Sequence, residues 1–363
     1  MNPPSGIVAL IELGNSHDEC IYSQILFLNK ADYTVHLLLS EGLKTQAANF
    51  PTAAVVHYFS LPAKGIQAWS ELFKIKQYLK KHAITHVVLN TATGNTIRNF
   101  ILLNLFTSIP FAGTVHHTGK LNKSFTQRLI SLKVKKYFVL NDYLLDSIKK
   151  QHPLRIASYY PIFFPAFEPV AITKATSEFW ICIPGQLEFK RRDYKSLFSQ
   201  LQKHKLPIGF KFILLGRCNH KYGNGEEVKL MIKEQQLEDH FIVFDQFIDN
   251  ALFHAYLKLS DVVLPLIHEG SEGFKSYATA QISGAFNLAF AYQKPMLMHQ
   301  YFNFITDFQV SSFFYSPADL VALCLQLYAN PSLCTDKAAA IAGYYKFSFV
   351  VQQQKYLQLL TLA

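Results

Sequence analysis

The sequence predicts an α/β protein with two doubly wound parallel sheets. Short apolar runs of strand length alternate with helix-like stretches along most of the chain, as in a parallel sheet covered by helices. The proline-rich stretch 159–174 separates two such series and predicts an interdomain connection. A length of 363 residues is enough for two domains. We therefore expect domains over 1–165 and 166–340, followed by a helical end over 341–363.

The first series alternates strands and helices. Apolar and β-branched runs predict the strands, and apolar residues at three- and four-residue spacing predict the helices. The predicted strands are 7–13, 34–39, 55–59, 86–90, 111–116 and 136–140. The predicted helices are 17–29, 66–82, 95–106, 119–136 and 143–151. Asp18 and Glu19 favour the positive N-terminal end of the first helix.

The second series follows the same alternation. Its predicted strands are 179–183, 211–215, 241–244, 262–264 and 295–298. A helix is expected after the third of these strands, because apolar residues recur there at helical spacing. These residues are Leu252, Phe253, Tyr256, Leu257 and Leu259. The tail 336–362 is predicted to be largely helical.

Basic charge is concentrated in the predicted helix 119–136. The net charge of the chain is +10, and this stretch has no acidic residue. Its basic residues are Lys120, Lys123, Arg128, Lys133, Lys135 and Lys136. Such a basic amphipathic helix suits an anionic membrane surface, and the alternative is an ordinary helix with a solvated charged face. No nucleic-acid partner is expected, because no recognised nucleic-acid-binding motif is present.

Cysteine use and hydropathy predict a cytoplasmic protein. The five cysteines are scattered and lack metal-binding spacing, so we expect buried, reduced thiols. The N-terminus lacks the regions of a signal peptide, and no apolar run reaches the ~18 residues of a membrane span. The alternative is a peripheral position at the inner face of the plasma membrane.

The segment 241–297 has the most informative order of elements. It reads strand, helix, strand, polar loop, a helix that starts at Ser283-Gly284, and a strand after Lys294-Pro295. This order resembles the nucleotide-sugar-binding domain of GT-B-fold glycosyltransferases, especially glycosyltransferase family 4 and family 1-like bacterial transferases. The resemblance implies two Rossmann-like domains that face a central cleft, an acceptor domain followed by a donor domain. It also implies that the last helix crosses back to the N-terminal domain.

The resemblance implies a donor diphosphate at Ser283 and Gly284, where a helix start offers free N–H groups. In an earlier segment Gly185 matches the family glycine, and Lys190 or Arg191 matches the basic residue that neutralises the leaving diphosphate. An ordinary helix cap and a solvated basic turn are the competing interpretations.

One phosphate contact of the family is missing from this chain. The family usually has an arginine just after the glycine, and this chain has Gln186. Either the contact is absent or Arg192 supplies it.

The loop 264–270 resembles the family loop that ends in Glu-Gly. It implies that Glu269 contacts the donor sugar, with Glu272 as a second candidate. The E-x7-E motif of the family is not kept. About eleven extra residues separate this loop from Lys294, and counting back from Lys294 puts the second glutamate position at Leu288. The stereochemistry of a transfer is therefore left open, and a surface acidic loop is the alternative interpretation.

The resemblance also implies contacts with the nucleobase. Phe247 and Ile248 follow a predicted strand at the family position where backbone groups meet the base. Gly216 and Arg217 end the preceding strand and are expected to face the same cleft. No metal site and no cofactor are expected, apart from the nucleotide-sugar donor as a substrate.

Candidate residues of the N-terminal domain follow two of its strands. Gly14, Asn15, His17 and Asp18 come directly after the first strand, at the sheet edge where ligands bind in open α/β folds. Gly14 and Asn15 are candidates for contacts with the nucleobase or the sugar, and His17 or Asp18 is a candidate base for an acceptor hydroxyl. His116 resembles the strand-end histidine of the family near the donor sugar. Helix capping and a structural histidine are the alternatives.

These features predict a glycosyltransferase that moves a sugar from a nucleotide donor to a hydroxyl of a surface polysaccharide or lipid-linked glycan. The alternatives are a nucleotide-sugar epimerase of GT-B fold and a non-catalytic scaffold or binding protein. The sequence leaves open the donor base, the sugar, the acceptor and the oligomeric state.

Overall fold

A computed structural model describes residues 6–50, 55–62, 65–148 and 153–361. By its contacts the chain divides into two compact units. The first unit is Met1–Ala166 together with Ser348–Ala363, and the second unit is Phe167–Phe347. Each unit contains one parallel sheet with helices on its faces, so the predicted α/β class with two doubly wound sheets is confirmed.

The first unit has a seven-stranded sheet in its described part, in the order β3-β2-β1-β4-β5-β6-β7, and every pairing is parallel. The strands are β1 (Gly6–Glu12), β2 (Tyr33–Ser40), β3 (Val55–Phe59), β4 (His86–Leu89), β5 (Phe111–Thr114), β6 (Val134–Val139) and β7 (Arg155–Ser158). The helices are α1 (Ile21–Asn29), α2 (Ile66–Lys81), α3 (Asn95–Asn104), α4 (Lys120–Lys123), α5 (Phe125–Ile130) and α6 (Asp142–Asp146). The connection after β1 leads to β2 on one side of β1, and the connection after β4 leads to β5 on the opposite side of the sheet. The β1/β4 pair is therefore the topological switch point of this sheet.

The predicted basic helix 119–136 is wrong as a single element. The structure has two short helices there, α4 and α5, and β6 begins at Val134. Ser124 starts the second helix, because its hydroxyl accepts a hydrogen bond from the backbone N–H of Gln127 at 3.3 Å. Val134 is fully buried in the sheet beside β5, and this burial outweighs the helical spacing before it. The side chain of Lys123 lies outside the described residues.

The second unit has a six-stranded parallel sheet in its described part, in the order β10-β9-β8-β11-β12-β13. The strands are β8 (Phe179–Pro184), β9 (Phe210–Arg217), β10 (Phe241–Phe244), β11 (Val262–Val263), β12 (Met296–His299) and β13 (Ser312–Tyr315). The helices are α7 (Tyr194–Leu201), α8 (Gly225–Glu234), α9 (Asn250–Leu259), α10 (Phe274–Thr279), α11 (Gly284–Ala291), α12 (Thr306–Ser311), α13 (Leu320–Ala329) and α14 (Ser332–Gly343). Its switch point lies between β8 and β11.

The last helix, α15 (Phe349–Thr361), belongs to the first unit. The fully buried ring of Tyr356 stacks on Phe138 of β6, with the ring centroids 4.6 Å apart. The side-chain oxygen of Gln352 accepts a hydrogen bond from the backbone N–H of Tyr160 at 2.9 Å. These contacts make the chain end part of the core of the first unit.

Two predicted features differ in detail from the structure. Strands β7 and β13 have no counterpart among the predicted strands. The predicted helix 143–151 is α6, which ends at Asp146, and the predicted end of that helix falls among residues outside the described ranges. Boundaries of this kind depend on tertiary contacts that periodicity does not encode.

All five cysteines are buried, as predicted, and all are free thiols. None of the described helices combines the length and the apolar character that crossing a bilayer requires. Within the described ranges, no three His, Cys, Asp or Glu side chains lie close enough together to hold a metal ion.

Candidate functional site

The candidate site of the first unit lies at the carboxyl ends of β1 and β4. Glu12 closes β1 and is 2% exposed. Its carboxylate accepts hydrogen bonds from Thr91 Oγ1 at 2.5 Å, Asn90 Nδ2 at 2.8 Å and the backbone N–H of Gly14 at 2.7 Å. Burial raises the pKa of Glu12, although these hydrogen bonds favour the ionised form. Glu12 therefore joins the loop after β1 to the end of β4.

Asn90 is the centre of this network and is fully buried. Besides Glu12, its side-chain Nδ2 donates to the carbonyl oxygen of His17 at 2.9 Å. Its Oδ1 accepts from Gln24 Nε2 at 2.6 Å, and the Tyr356 hydroxyl in turn donates to Gln24 at 3.1 Å. The network thus holds His17, whose backbone has the left-handed φ of 68°.

The side chains of His17 and His116 stack, with ring centroids 3.7 Å apart. Burial lowers the pKa of His116 to about 4, and the nearby His17 adds to the effect. His116 is therefore neutral at pH 7. Its Nε2 lies 3.0 Å from the carbonyl oxygen of Asn90, which can only accept, so we assign the proton to Nε2 and the lone pair to Nδ1.

His17 and Asp18 titrate in a different range from His116. Burial opposes protonation of His17, but Glu19, 3.4 Å from the ring, outweighs it and raises the pKa. Burial raises the pKa of Asp18 to about 6, and the charge of Glu19 adds to it. A carboxyl group that titrates near neutral pH is suited to general acid–base catalysis.

Gly14 and Asn15 are exposed in the loop between these groups. The side-chain oxygen of Asn15 accepts a hydrogen bond from the Ser40 hydroxyl at 2.7 Å, which ties the loop to the end of β2. Asp18 begins a short 3-10 turn, Asp18–Cys20, so the predicted helix 17–29 is a turn followed by α1.

The candidate site of the second unit lies at the carboxyl ends of β8 and β9. Gly185 follows β8 with a left-handed φ of 101°, and an added Cβ would lie 2.6 Å from Arg192 Nη2. At Gly216 an added Cβ would lie 2.3 Å from the carbonyl oxygen of Gly185. Both positions therefore need glycine for packing within the unit.

Arg192 is buried and serves the interior of the unit. Its Nη1 donates to the carbonyl oxygen of Pro265 at 2.5 Å, and its Nη2 donates to that of Pro184. These bonds join the end of β8 to the loop after β11. They argue against Arg192 as the phosphate contact that Gln186 does not provide.

Lys190 and Arg191 lie on the surface of the same turn. Lys190 Nζ is 3.5 Å from Glu272, with both side chains more than two-thirds exposed, and Arg191 Nε is 2.8 Å from Glu188. The Lys190–Glu272 pair is exposed, and such pairs contribute only about 0–1 kcal/mol, so an incoming anion can displace its carboxylate. Both cations are accessible to a charged ligand.

Helix α11 begins at Gly284, as the sequence predicts, with Ser283 in an extended conformation before it. The Ser283 side chain makes no capping hydrogen bond, and an added Cβ at Gly284 would meet nothing within 4 Å. Gly284 is therefore exposed at the start of this helix, whereas Ser283, Ala285 and Phe286 are buried. A helix start with an exposed glycine suits an anion.

Glu269 is exposed in the turn after β11, next to the fully buried His268. The ring of His268 bonds Asp193 Oδ2 at 2.9 Å and the Tyr315 hydroxyl at 2.8 Å. Burial raises the pKa of Asp193, but hydrogen bonds from His268 and Ser196 outweigh it and lower the pKa to about 2. This relay anchors the loop of Glu269 to α7 and β13.

The remaining predicted contacts lie at the same edge. Arg217 ends β9 and is exposed. The ring of Phe247 is 65% exposed, whereas Ile248 is buried. The structure thus places the predicted residues of each unit at the carboxyl edge of that unit's sheet.

Sequence reasoning missed Glu12, Asn90 and Thr91 in the first unit and Asp193 and His268 in the second. A signal was present for the first three, because each is a polar residue at the end of an apolar strand. That pattern often marks ligand-binding edges in parallel sheets.

The architecture can be compared with known proteins. No protein-family model matches the chain, and no curated protein matches it significantly. Among solved structures, a glycosyltransferase from Rickettsia africae matches 100% of both chains, with a TM-score of 0.70 and 13% identity. The chain has the GT-B fold. The resemblance predicted from the segment 241–297 is therefore confirmed at the level of the fold.

Two further solved structures match the chain over nearly its whole length. The Anabaena protein HepE, solved with UDP and glucose, covers 98% of this chain and 100% of its own, with a TM-score of 0.69 and 13% identity. A putative UDP-N-acetylglucosamine 2-epimerase from Listeria monocytogenes covers 98% of this chain and 95% of its own, with a TM-score of 0.65 and 12% identity. Identities this low establish the fold alone.

Proposed function

We propose that this GT-B-fold protein is a glycosyltransferase of the hexosyltransferase type, which moves a sugar from a nucleotide-sugar donor to an acceptor hydroxyl. The acceptor would be a growing surface polysaccharide or a lipid-linked glycan. The proposal depends chiefly on the array at the β1/β4 switch point, where Asp18 titrates near pH 6 beside two stacked histidines. The Rickettsia glycosyltransferase and HepE with UDP and glucose support the same class.

In this reaction the acceptor oxygen bonds to the anomeric carbon, and the bond from that carbon to the diphosphate oxygen breaks. The acceptor proton passes to a base. We assign that role to Asp18, whose pKa of about 6 leaves it ionised at pH 7 but still a useful proton acceptor. His17 is the alternative base. Neutral His116 would orient the substrate through Nδ1.

On the donor side, the diphosphate would bind the start of α11 at Ser283 and Gly284, where the exposed Gly284 leaves room for it. Lys190 and Arg191 would neutralise the charge that develops as the nucleoside diphosphate leaves. Helix dipoles and basic side chains would then stabilise the leaving diphosphate without a metal ion. Gly185 would let the backbone approach the phosphates.

The sugar and the base would be held by the loops around this turn. Glu269, with Glu272 beside it, would accept hydrogen bonds from sugar hydroxyls. Phe247, Ile248 and Arg217 would form the nucleobase site, with the exposed Phe247 ring available for stacking.

The proposal is tested by thermal unfolding with UDP, GDP, dTDP, CMP and the corresponding sugars. A ligand at about 100 times its dissociation constant should stabilise the protein by about 2.7 kcal/mol. We expect a shift with one diphosphate class that is reduced in Lys190→Ala/Arg191→Ala. The matched control is Lys205→Ala/Lys233→Ala, two exposed lysines of the same unit. No shift with any nucleotide in a folded sample would contradict the proposal and favour a scaffold.

A nucleotide-sugar epimerase is the second candidate. The epimerase neighbour from Listeria and the carboxyl groups of Glu12, Asp18 and Glu19 near one another favour it. Incubation with UDP-N-acetylglucosamine, followed by NMR, distinguishes the two. Release of UDP that depends on an added acceptor supports a transferase, whereas a new C2 epimer without acceptor supports an epimerase.

A further inference from the structure

Charge is distributed very unevenly along the first unit. Between residues 42 and 141 the sequence has thirteen lysines and arginines and one acidic residue, Glu71. The net charge of this stretch exceeds that of the whole chain, so the remainder is slightly acidic. A segment of this kind creates a positive surface that attracts anionic partners.

Three helices of this stretch form one layer. The connections β3 to β4, β4 to β5 and β5 to β6 all run in the same direction across the sheet, so right-handed crossovers place α2, α3 and α5 on one face. Adjacent members of the layer pack together, and Lys76 Nζ on α2 donates to the carbonyl oxygen of Leu103 on α3 at 2.6 Å.

The outer side of this layer is unusually apolar. Leu72, Ile75 and Leu79 of α2 are buried toward the sheet, so the exposed residues point away from it. Seven large apolar side chains are exposed on the three helices and the turns that follow them: Ile66, Trp69, Phe73, Leu102, Phe106, Phe125 and Leu132. Phe106 is 97% exposed and Phe125 is 73% exposed, which leaves aromatic tips in water.

Exposed basic side chains lie on the same helices. Lys80 and Lys81 are exposed in the last turn of α2, and Arg128 is exposed on α5, three residues after Phe125. Glu71 is paired with Lys74 at 2.5 Å, so it offers no free negative charge to this surface. Lipid headgroups with negative charge match the cations, and the acyl boundary beneath them matches the apolar tips.

We propose that this outer face of α2, α3 and α5, called the docking face, binds the surface of an anionic lipid bilayer. This proposal deepens the proposed function. It depends on that function in one respect, because a lipid-linked acceptor would lie in the same bilayer. The contact is wider than the predicted helix 119–136 and includes two helices outside it. Aliphatic tips such as Leu102 and Leu132 favour a bilayer over nucleic acid, whose phosphates offer them nothing.

The test is sedimentation of the full chain with vesicles of phosphatidylcholine alone or with added phosphatidylglycerol. We expect binding only to the anionic vesicles, and weaker binding as salt shortens the screening length from about 10 Å at ~0.1 M to about 3 Å at ~1 M. Phe106→Ser/Phe125→Ser should weaken binding roughly tenfold, since apolar area is lost from the interface. Lys81→Gln/Arg128→Gln should weaken it by roughly fivefold per charge.

Matched controls lie in the second unit. Ile208→Ser, at a site 96% exposed, and Lys205→Gln/Lys233→Gln should leave vesicle binding unchanged. Equal binding to both vesicle types, or full binding by Phe106→Ser/Phe125→Ser, would overturn the proposal. Binding to single-stranded RNA without vesicle binding would assign the face to nucleic acid instead. Nucleotide-induced thermal shifts, measured on the same samples, report separately on the proposed function.

Discussion

The two candidate sites are built in opposite ways. In the first unit, Glu12 and Asn90 are buried and fixed by at least three hydrogen bonds each. In the second unit, Lys190, Arg191 and Glu269 are exposed on loops. This difference matches the two proposed roles. Proton transfer needs a fixed geometry and a shifted pKa, whereas binding of a diphosphate needs accessible cations and N–H groups at a helix start.

The largest expected effect concerns the fixed site. Asp18→Asn should lower kcat for donor turnover by about 10²–10⁴-fold, the usual contribution of a general base. The dissociation constant of the nucleotide, measured by calorimetry, should stay unchanged because Asp18 belongs to the other unit. Asp146→Asn, an exposed carboxyl of the same unit, is the control. Equal loss in both variants would contradict a role in chemistry.

The next effect concerns stability. Glu12→Ala should lower the free energy of unfolding by about 3 kcal/mol, because the buried donors of Asn90, Thr91 and Gly14 lose their acceptor. Glu12→Gln keeps one acceptor and should cost less. Urea unfolding measures both, with the exposed Glu41→Ala as reference. An unchanged midpoint for Glu12→Ala would show that the network does not stabilise the fold.

The stability contributed by the hydrogen bond between Asp193 and His268 in the second unit should depend on pH. The pKa of Asp193 is depressed to about 2 in the folded state. The ionised carboxylate therefore stabilises the folded state at pH values above the ordinary pKa of an aspartate, and this stabilisation is lost as the pH falls toward about 2. Asp193→Asn keeps the cap to Ser196 and should cost roughly 2 kcal/mol near pH 7. The deficit should shrink near pH 3. A deficit independent of pH would assign it to packing instead.

The smallest effect separates binding from packing at two glycines. Gly284→Ala should leave the unfolding temperature nearly unchanged, since its Cβ meets open space, and should weaken nucleotide binding by blocking the phosphates. Gly216→Ala should instead destabilise the fold by roughly 1–3 kcal/mol, because its Cβ would meet the Gly185 carbonyl. Nucleotide affinity unaffected by Gly284→Ala would move the diphosphate away from α11.

Much of the fold follows from sequence because parallel strands buried on both faces are nearly continuous apolar runs. Val8, Leu10 and Ile11 of β1 are fully buried, and the run was recognisable. The prediction of one helix over 119–136 is wrong because the apolar residues of a short strand can fall at helical spacing. Only pairing with β5 decides between them.

The candidate site was predictable in part. Asp18 and His17 follow the predicted strand 7–13 and are predictable as ligand-edge residues, whereas Glu12 lies inside the apolar run of that strand. Its role depends on Asn90, 78 residues away, and such long-range pairing is invisible in local patterns. The role of His268 is equally invisible in local patterns, since its partner Asp193 lies 75 residues earlier.

The most direct test is the pH dependence of kcat/KM for nucleotide-sugar turnover by the full chain, with the donor chosen from the thermal-shift panel. A base acts when deprotonated, so activity should fall on the acid side and reach half its plateau at pH about 6, the pKa of Asp18. His116 is already neutral there and adds no step. Asp18→Asn should abolish this dependence along with most of the rate. A flat profile, or a profile unchanged in Asp18→Asn, would contradict the assignment of Asp18 as the base.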